Sequence, residues 1–170
     1  MLRIFDFGLA RELLDVDLKK DGTYRNLTKM TGAVRYMAPE VAVGLSYNYS
    51  ADVYSWAMLM YYMLALEPPF GFYTEKMIVE RSCLGYRPTI FKRWPLSMKE
   101  ALAKAWDGDL KKRPTFLDIS LVLKSELNEY DGKNSGSRSI SGATIVSSDQ
   151  DIEDARDVTT RDMTEERPRA

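Results

Sequence analysis

The 170-residue chain contains no histidine. That absence removes Ser-His and Cys-His nucleophile pairs and every histidine-ligated metal site in one step. There is one cysteine, Cys83, so no disulfide can form within the chain, which fits a reducing compartment. With no base to activate it, Cys83 reads as a helix residue. An excess of either charge is also lacking. The formal net charge is -1, and nothing in that balance points to nucleic acid or to an anionic membrane. Long apolar runs are absent too. The longest, Trp56 to Leu66, falls short of the roughly 17–25 residues that a membrane span requires. Met1-Leu-Arg-Ile-Phe meets Asp6 at once and is too short for a signal peptide. A cytoplasmic setting is expected, or the cytosolic side of a membrane if a longer parent carries an anchor elsewhere.

What is present is the material of one globular domain. Apolar residues make up 45% of the chain, enough at this length for a sizeable core. Leu2 to Phe5 reads as a short strand ended by Asp6-Phe7-Gly8. A polar stretch follows to Lys29, with Asp21-Gly22 as a turn signal. Ser50 is placed to cap a helix that runs to about Leu66 and stops before Pro68-Pro69. Its apolar residues go nearly all the way round, which marks a buried helix. Trp56, Trp106 and the set Met58, Met60 and Met63 are expected in the core.

Three more helices are expected. Thr74 to Leu84 is amphipathic and closed by Gly85. Ser97 to Trp106 carries Ser97 as cap with Glu100 three residues on, a capping-box pattern. Thr115 to Tyr130 repeats Phe116, Ile119, Leu123 and Leu127 on one face. From 131 to 170 the chain turns to Ser, Gly, Asp, Arg and Thr with few large apolar residues. Such a segment cannot offset its ordering entropy by burial and is expected to be disordered. Arg138-Ser139-Ile140-Ser141 places a basic residue three before a serine, a pattern open to phosphorylation.

The chemistry-bearing residues come in a fixed order. Asp6-Phe7-Gly8 is followed by Ala38-Pro39-Glu40. Then come Asp52-Val53-Tyr54-Ser55-Trp56 opening the apolar helix, Pro69-Phe70, Gly85-Tyr86-Arg87-Pro88, and Lys112-Arg113-Pro114-Thr115-Phe116. Each piece alone is a weak signal. The series, over about residues 1 to 130, resembles the carboxy-terminal part of a eukaryotic protein kinase domain. The fold implied is mainly α: a helical C-lobe, truncated on its amino-terminal side, with the disordered tail. Residues 6–40 would be the activation segment, 41–130 the helical subdomain and 131–170 the tail.

The resemblance also implies roles. Asp6 would hold the magnesium ion that bridges the phosphates of ATP, a hard cation suited to a carboxylate. Phe7 would pack inward and Gly8 would supply backbone freedom beside it. Glu40 and Arg113 would meet as a buried ion pair. Asp52 would receive backbone N–H groups of a catalytic loop, or act simply as an acid in a helix first turn. Thr23, Tyr24, Thr28 and Thr31 are candidate phosphorylation sites, where phosphate could pair with arginine and order the segment. The partners implied are a protein substrate and an upstream activating kinase, with no nucleic acid and no membrane segment.

No Gly-rich loop, no Val-Ala-Ile-Lys-type lysine and no His-Arg-Asp loop is present in this sequence. The catalytic base, one metal ligand and the phosphate-binding lysine are therefore missing, and the chain alone is expected to be inactive. Thr31-Gly32, Arg35-Tyr36-Met37 and Gly85-Tyr86-Arg87-Pro88 are most similar to the tyrosine-kinase-like group of serine/threonine kinases. Ala33 departs from that pattern, which places Ser or Thr after the glycine. The alternatives are a tyrosine or dual-specificity kinase fragment and a non-catalytic remnant that binds partners through its helices.

Overall fold

A computed structural model of the chain describes residues 5–25 and 27–136. The strand expected at Leu2 to Phe5, apart from Phe5 itself, and the tail beyond residue 136, Arg138 to Ser141 included, lie outside the described residues. The chain divides into two units, Met1–Asp131 and Gly132–Ala170. In the second, only the end of the last helix is described.

The described fold is mainly α, as the apolar periodicity implies, and holds no β-strand among the described residues. Five helices follow in chain order: α1 Pro39–Ala42, α2 Ser50–Ala65, α3 Glu75–Cys83, α4 Leu96–Ala105 and α5 Phe116–Gly136. No helix among the described residues is long and apolar enough to cross a membrane.

α2 organises the first unit. Tyr54, Met58, Leu102 and Val53 are fully buried, and Trp94, Trp106 and Ile119 close around them. Tyr61 sets its ring edge-on to Trp94 at 5.7 Å and lies 6.4 Å from Trp106. Each of these large side chains contributes roughly 1.5–3 kcal/mol by leaving water.

α2 is not buried all round. Leu59, Tyr62, Met63 and Leu66, spaced as one helical stripe, are between 43% and 84% exposed. Met58 and Trp106 are core, but Met60 and Trp56 are only partly buried and Met63 faces out. The reason is one-sided cover. α4 and the short 3-10 turns Val34–Tyr36 and Leu110–Lys112 pack on α2, and they leave this stripe largely uncovered.

Helix ends depart from the expected caps in two places. Ser50 does not cap α2; the Asn48 side chain accepts from the Ser50 N–H at 2.9 Å instead. Ser97 does not cap α4 either, because its hydroxyl donates to Glu126 on α5. α5 has a reciprocal cap: Asp118 N–H donates to Thr115 Oγ1 at 3.2 Å, and Thr115 N–H to Asp118 Oδ2 at 2.8 Å. Thr74 caps α3, accepting from Met77 N–H at 3.4 Å. Gly85 stands just past α3 at φ 91°, a left-handed conformation that glycine adopts without a Cβ penalty.

Candidate functional site

The segment before α1 has little regular structure, yet its backbone is pinned. Asp21-Gly22 forms a turn closed by Lys19 N–H to Thr23 O at 2.8 Å, with Gly22 at φ 84°. Bridges join Leu18 to Tyr24 and Tyr24 to Tyr47. The Tyr47 hydroxyl donates to Thr28 O, and Arg35 Nη1 reaches the carbonyls of Pro69 and Gly71 at 2.5 and 2.9 Å. The segment is thereby tied to the loops on both sides of α2.

The strongest tie is at Arg113. The chain reaches it through the 3-10 turn Leu110–Lys112, and the residue before Pro114 is held extended, as proline demands. From there Nη1 and Nη2 donate to the two carboxylate oxygens of Glu40 at 2.6 and 2.9 Å. Nη1 also donates to Ser50 O at 3.1 Å, and Nε to Asp107 O at 2.8 Å. The two side chains are 0% and 7% exposed. A planar guanidinium matches a carboxylate in this two-pronged way, and a point-charge lysine would not.

Tyr54 is the member that sequence reasoning did not single out. The guanidiniums of Arg113 and Arg87 lie 5.2 and 5.3 Å from its ring centre. Arg87 is itself fixed by Nε to Trp106 O at 2.7 Å and Nη1 to Ser82 O at 2.8 Å. The available signal was a pair of Arg-Pro dipeptides, Arg87-Pro88 and Arg113-Pro114, in the helical part of the chain. The Tyr54 hydroxyl is buried without a hydrogen-bond partner among the described residues. Burial pushes its pKa up to about 12, against a smaller lowering by Arg87 and Arg113.

The Asp6-Phe7-Gly8 triplet lies apart from this buried node. Asp6 is exposed and left-handed at φ 63°, and its Oδ1 accepts from Gly8 N–H at 3.4 Å. Phe7 does not pack inward as expected; it is 69% exposed, because its described neighbours are themselves exposed and offer no apolar bed. Among the described residues no three His, Cys, Asp or Glu side chains cluster to hold a metal ion. Asp6 alone supplies one hard oxygen. That fits one share of a magnesium ion otherwise held by phosphates and water, and not a protein-only site.

The other expected residues are dispersed. Asp52 sits exposed in the first turn of α2, where neighbouring atoms partly desolvate its carboxyl and raise its pKa, and it shows no side-chain hydrogen bond to the described residues. Thr28 accepts from Arg11 Nε at 3.3 Å. Thr23 donates to Asp21 at 2.7 Å, and these bonds hold the Asp21 carboxyl below its usual range. Thr31 is exposed and bonds only locally, to Lys29 O at 3.0 Å. Tyr24 is partly buried at the bridge to Tyr47. A cavity of about 370 Å³ opens beside Ala33, Arg35 and Tyr36, with Tyr62, Glu75 and Ile78 on its far wall.

A family model described as protein tyrosine and serine/threonine kinase matches residues 1–123. The serine/threonine-protein kinase VIK of Arabidopsis thaliana is 40% identical over 119 residues, covering 69% of this chain and 26% of that protein. The dual specificity protein kinase pyk3 of Dictyostelium discoideum is 31% identical over 130 residues, covering 76% of this chain and 9% of that protein. The serine/threonine-protein kinase STY17 of Arabidopsis thaliana is 31% identical over 133 residues, covering 76% and 21%. The chain thus spans about a quarter or less of the length of these relatives. With the ordered motifs, the helical fold and a match over residues 1–123 in agreement, the chain belongs to the protein tyrosine and serine/threonine kinase family.

Proposed function

We propose that the chain forms the helical C-lobe of a protein kinase domain that transfers the γ-phosphoryl group of ATP to serine or threonine hydroxyls of a protein substrate. The carrying observation is the buried two-pronged pair of Glu40 and Arg113. It anchors the far end of a segment that opens with an exposed aspartate at position 6, the arrangement that an activation segment needs. Bound magnesium supplies charge neutralisation at the phosphates. Asp6 would contribute one oxygen to it, and the exposed triplet leaves that carboxylate accessible.

Asp52 suits the role of receiving N–H donors from a catalytic loop. A partly desolvated carboxyl with no donor among the described residues is stabilised as an anion when donors arrive. Thr28 suits regulation by an upstream kinase: a phosphate on its hydroxyl would lie against Arg11, already at 3.3 Å. The cavity beside Ala33 to Tyr36 is open to a substrate peptide. The setting we read for such an enzyme is cytosolic.

A second reading, dual or tyrosine specificity, has one specific support. Ala33 replaces the hydroxyl that the serine/threonine pattern would present to the catalytic aspartate, and pyk3 bears the dual-specificity name. Phosphoamino-acid analysis of a labelled substrate separates the two.

The direct test is Asp6→Asn in the complete kinase domain. Phosphoryl transfer to a peptide with magnesium-ATP should be lost while the circular dichroism spectrum stays unchanged. Near-normal turnover would remove Asp6 from the metal role.

A further inference from the structure

Between the segment that carries the Asp21-Gly22 turn and the loop entering α2 lies a second cavity, of about 270 Å³. Its described lining brings Lys19 and the exposed Arg25 and Lys29 together with Tyr24, Ser46 and Tyr47, beside Leu27 and Leu45. No carboxylate is among those described lining residues. Three cations gathered in a chain whose formal net charge is -1 are a local concentration, not a general excess. The nearby acids Asp17 and Asp21 belong to the same turn region but do not line the cavity, and Asp21 Oδ1 already accepts from Thr23.

The walls are held by backbone hydrogen bonds. Lys19 N–H donates to Thr23 O at 2.8 Å, Arg25 N–H to Asp17 O at 3.0 Å, and Tyr24 N–H to Tyr47 O at 2.9 Å. Across the cavity the Lys19 ammonium donates to the Ser46 hydroxyl. The space far exceeds the roughly 10–15 Å³ that one water needs. Three cations around a cavity that also holds the Ser46 hydroxyl suit a group of about -1.5 to -2 charge with three strong acceptor oxygens. A flat carboxylate offers only two oxygens and a single charge.

The geometry points to a phosphate-monoester site formed by Lys19, Arg25 and Lys29. The nearest source of the ligand is Ser46. Transfer from a nucleoside triphosphate by a separate protein kinase breaks the bond between the γ-phosphorus and its bridging oxygen, releases the nucleoside diphosphate and forms the bond to Ser46 Oγ. The hydroxyl proton leaves to solvent, and the monoester remains among the three cations. The other source is a monoester presented by a second molecule. Either would lock the turn region to the entry of α2. This site does not depend on the catalytic reading, because none of its residues is assigned a part in phosphoryl transfer to substrate.

The test uses the full 170-residue chain and two probes, inorganic phosphate and a phosphoserine installed at position 46 by semisynthesis. Amide chemical shifts during a phosphate titration should show saturable binding. Affinity should fall at least tenfold in the Lys19→Gln/Lys29→Gln variant. It should hold in Lys20→Gln/Lys104→Gln, which loses the same charge at exposed positions outside the cavity. In the phosphorylated chain, the ³¹P titration midpoint should lie below that of the same chain unfolded in urea, and added phosphate should no longer bind. Phosphate binding without that ³¹P shift assigns the ligand to a second molecule and keeps the site. No phosphate binding together with an unshifted ³¹P midpoint overturns the site, as does equal weakening in both double variants.

Discussion

Arg113 holds four groups with one side chain: the Glu40 carboxylate, the Ser50 and Asp107 carbonyls and the Tyr54 ring. Burying such a pair is close to neutral against an apolar alternative, but removing one half strands the other charge. Arg113→Ala should therefore cost about 3–5 kcal/mol in urea-induced unfolding. A loss within about 0.5 kcal/mol, the range of an ordinary surface substitution, would show that the pair is solvated. Glu40 and Arg113 were legible because their flanking residues are distinctive. Tyr54 was not, because a tyrosine inside an apolar helix reads as filler until two arginines distant in sequence arrive on its faces. Its stranded hydroxyl gives the opposite expectation: Tyr54→Phe should be neutral or stabilising by about 1 kcal/mol. The pH dependence follows from its raised pKa. The folded state keeps its proton to about pH 12, while the unfolded state releases it near the usual tyrosine value of 10.0. The contribution is thus fully present below the lower value and is lost as pH rises through the higher one. Tyr54→Phe should flatten that part of the alkaline limb in a pH series of urea midpoints, and an unchanged limb would contradict the assignment.

At the scale of elements, the existence and order of the helices were legible, and the caps less so. Ser97 and Glu100 have the spacing of a capping box, yet Glu126 on α5 takes the Ser97 hydroxyl. Tertiary contact overrode a local signal that sequence alone could weigh only locally. The all-round apolar character of α2 likewise gave no sign of which face would find partners. α4 and two 3-10 turns cover one side. Leu59, Tyr62, Met63 and Leu66 are left as a stripe that water meets. A contiguous apolar stripe of this kind favours association. Light scattering on the purified chain should give masses above the monomer that rise with concentration. Leu59→Glu/Met63→Lys should bring the mass back toward the monomer. A wild-type chain that stays monomeric across the micromolar range would show that the stripe is inert.

For the whole molecule, the residues divide between a well-held structural node and an unheld chemical one. Glu40, Arg113, Tyr54 and Arg87 are buried or bonded on all sides, whereas Asp6, Phe7 and Gly8 stand in solvent. Neither described cavity is lined by Asp6. The sequence contains no Gly-rich loop and no His-Arg-Asp loop, and among the described residues no second acid or thiolate joins the Asp6 carboxylate in a metal-holding cluster. On the proposed reading, the chain carries the C-lobe share of a kinase site and not a nucleotide site of its own. Calorimetric unfolding of the 170-residue chain with and without magnesium-ATP tests it most directly. A ligand at a hundred times its dissociation constant stabilises a folded protein by about 2.7 kcal/mol, a readily visible rise in midpoint. No rise is expected at millimolar magnesium-ATP. A midpoint that climbs with nucleotide concentration and saturates would contradict it.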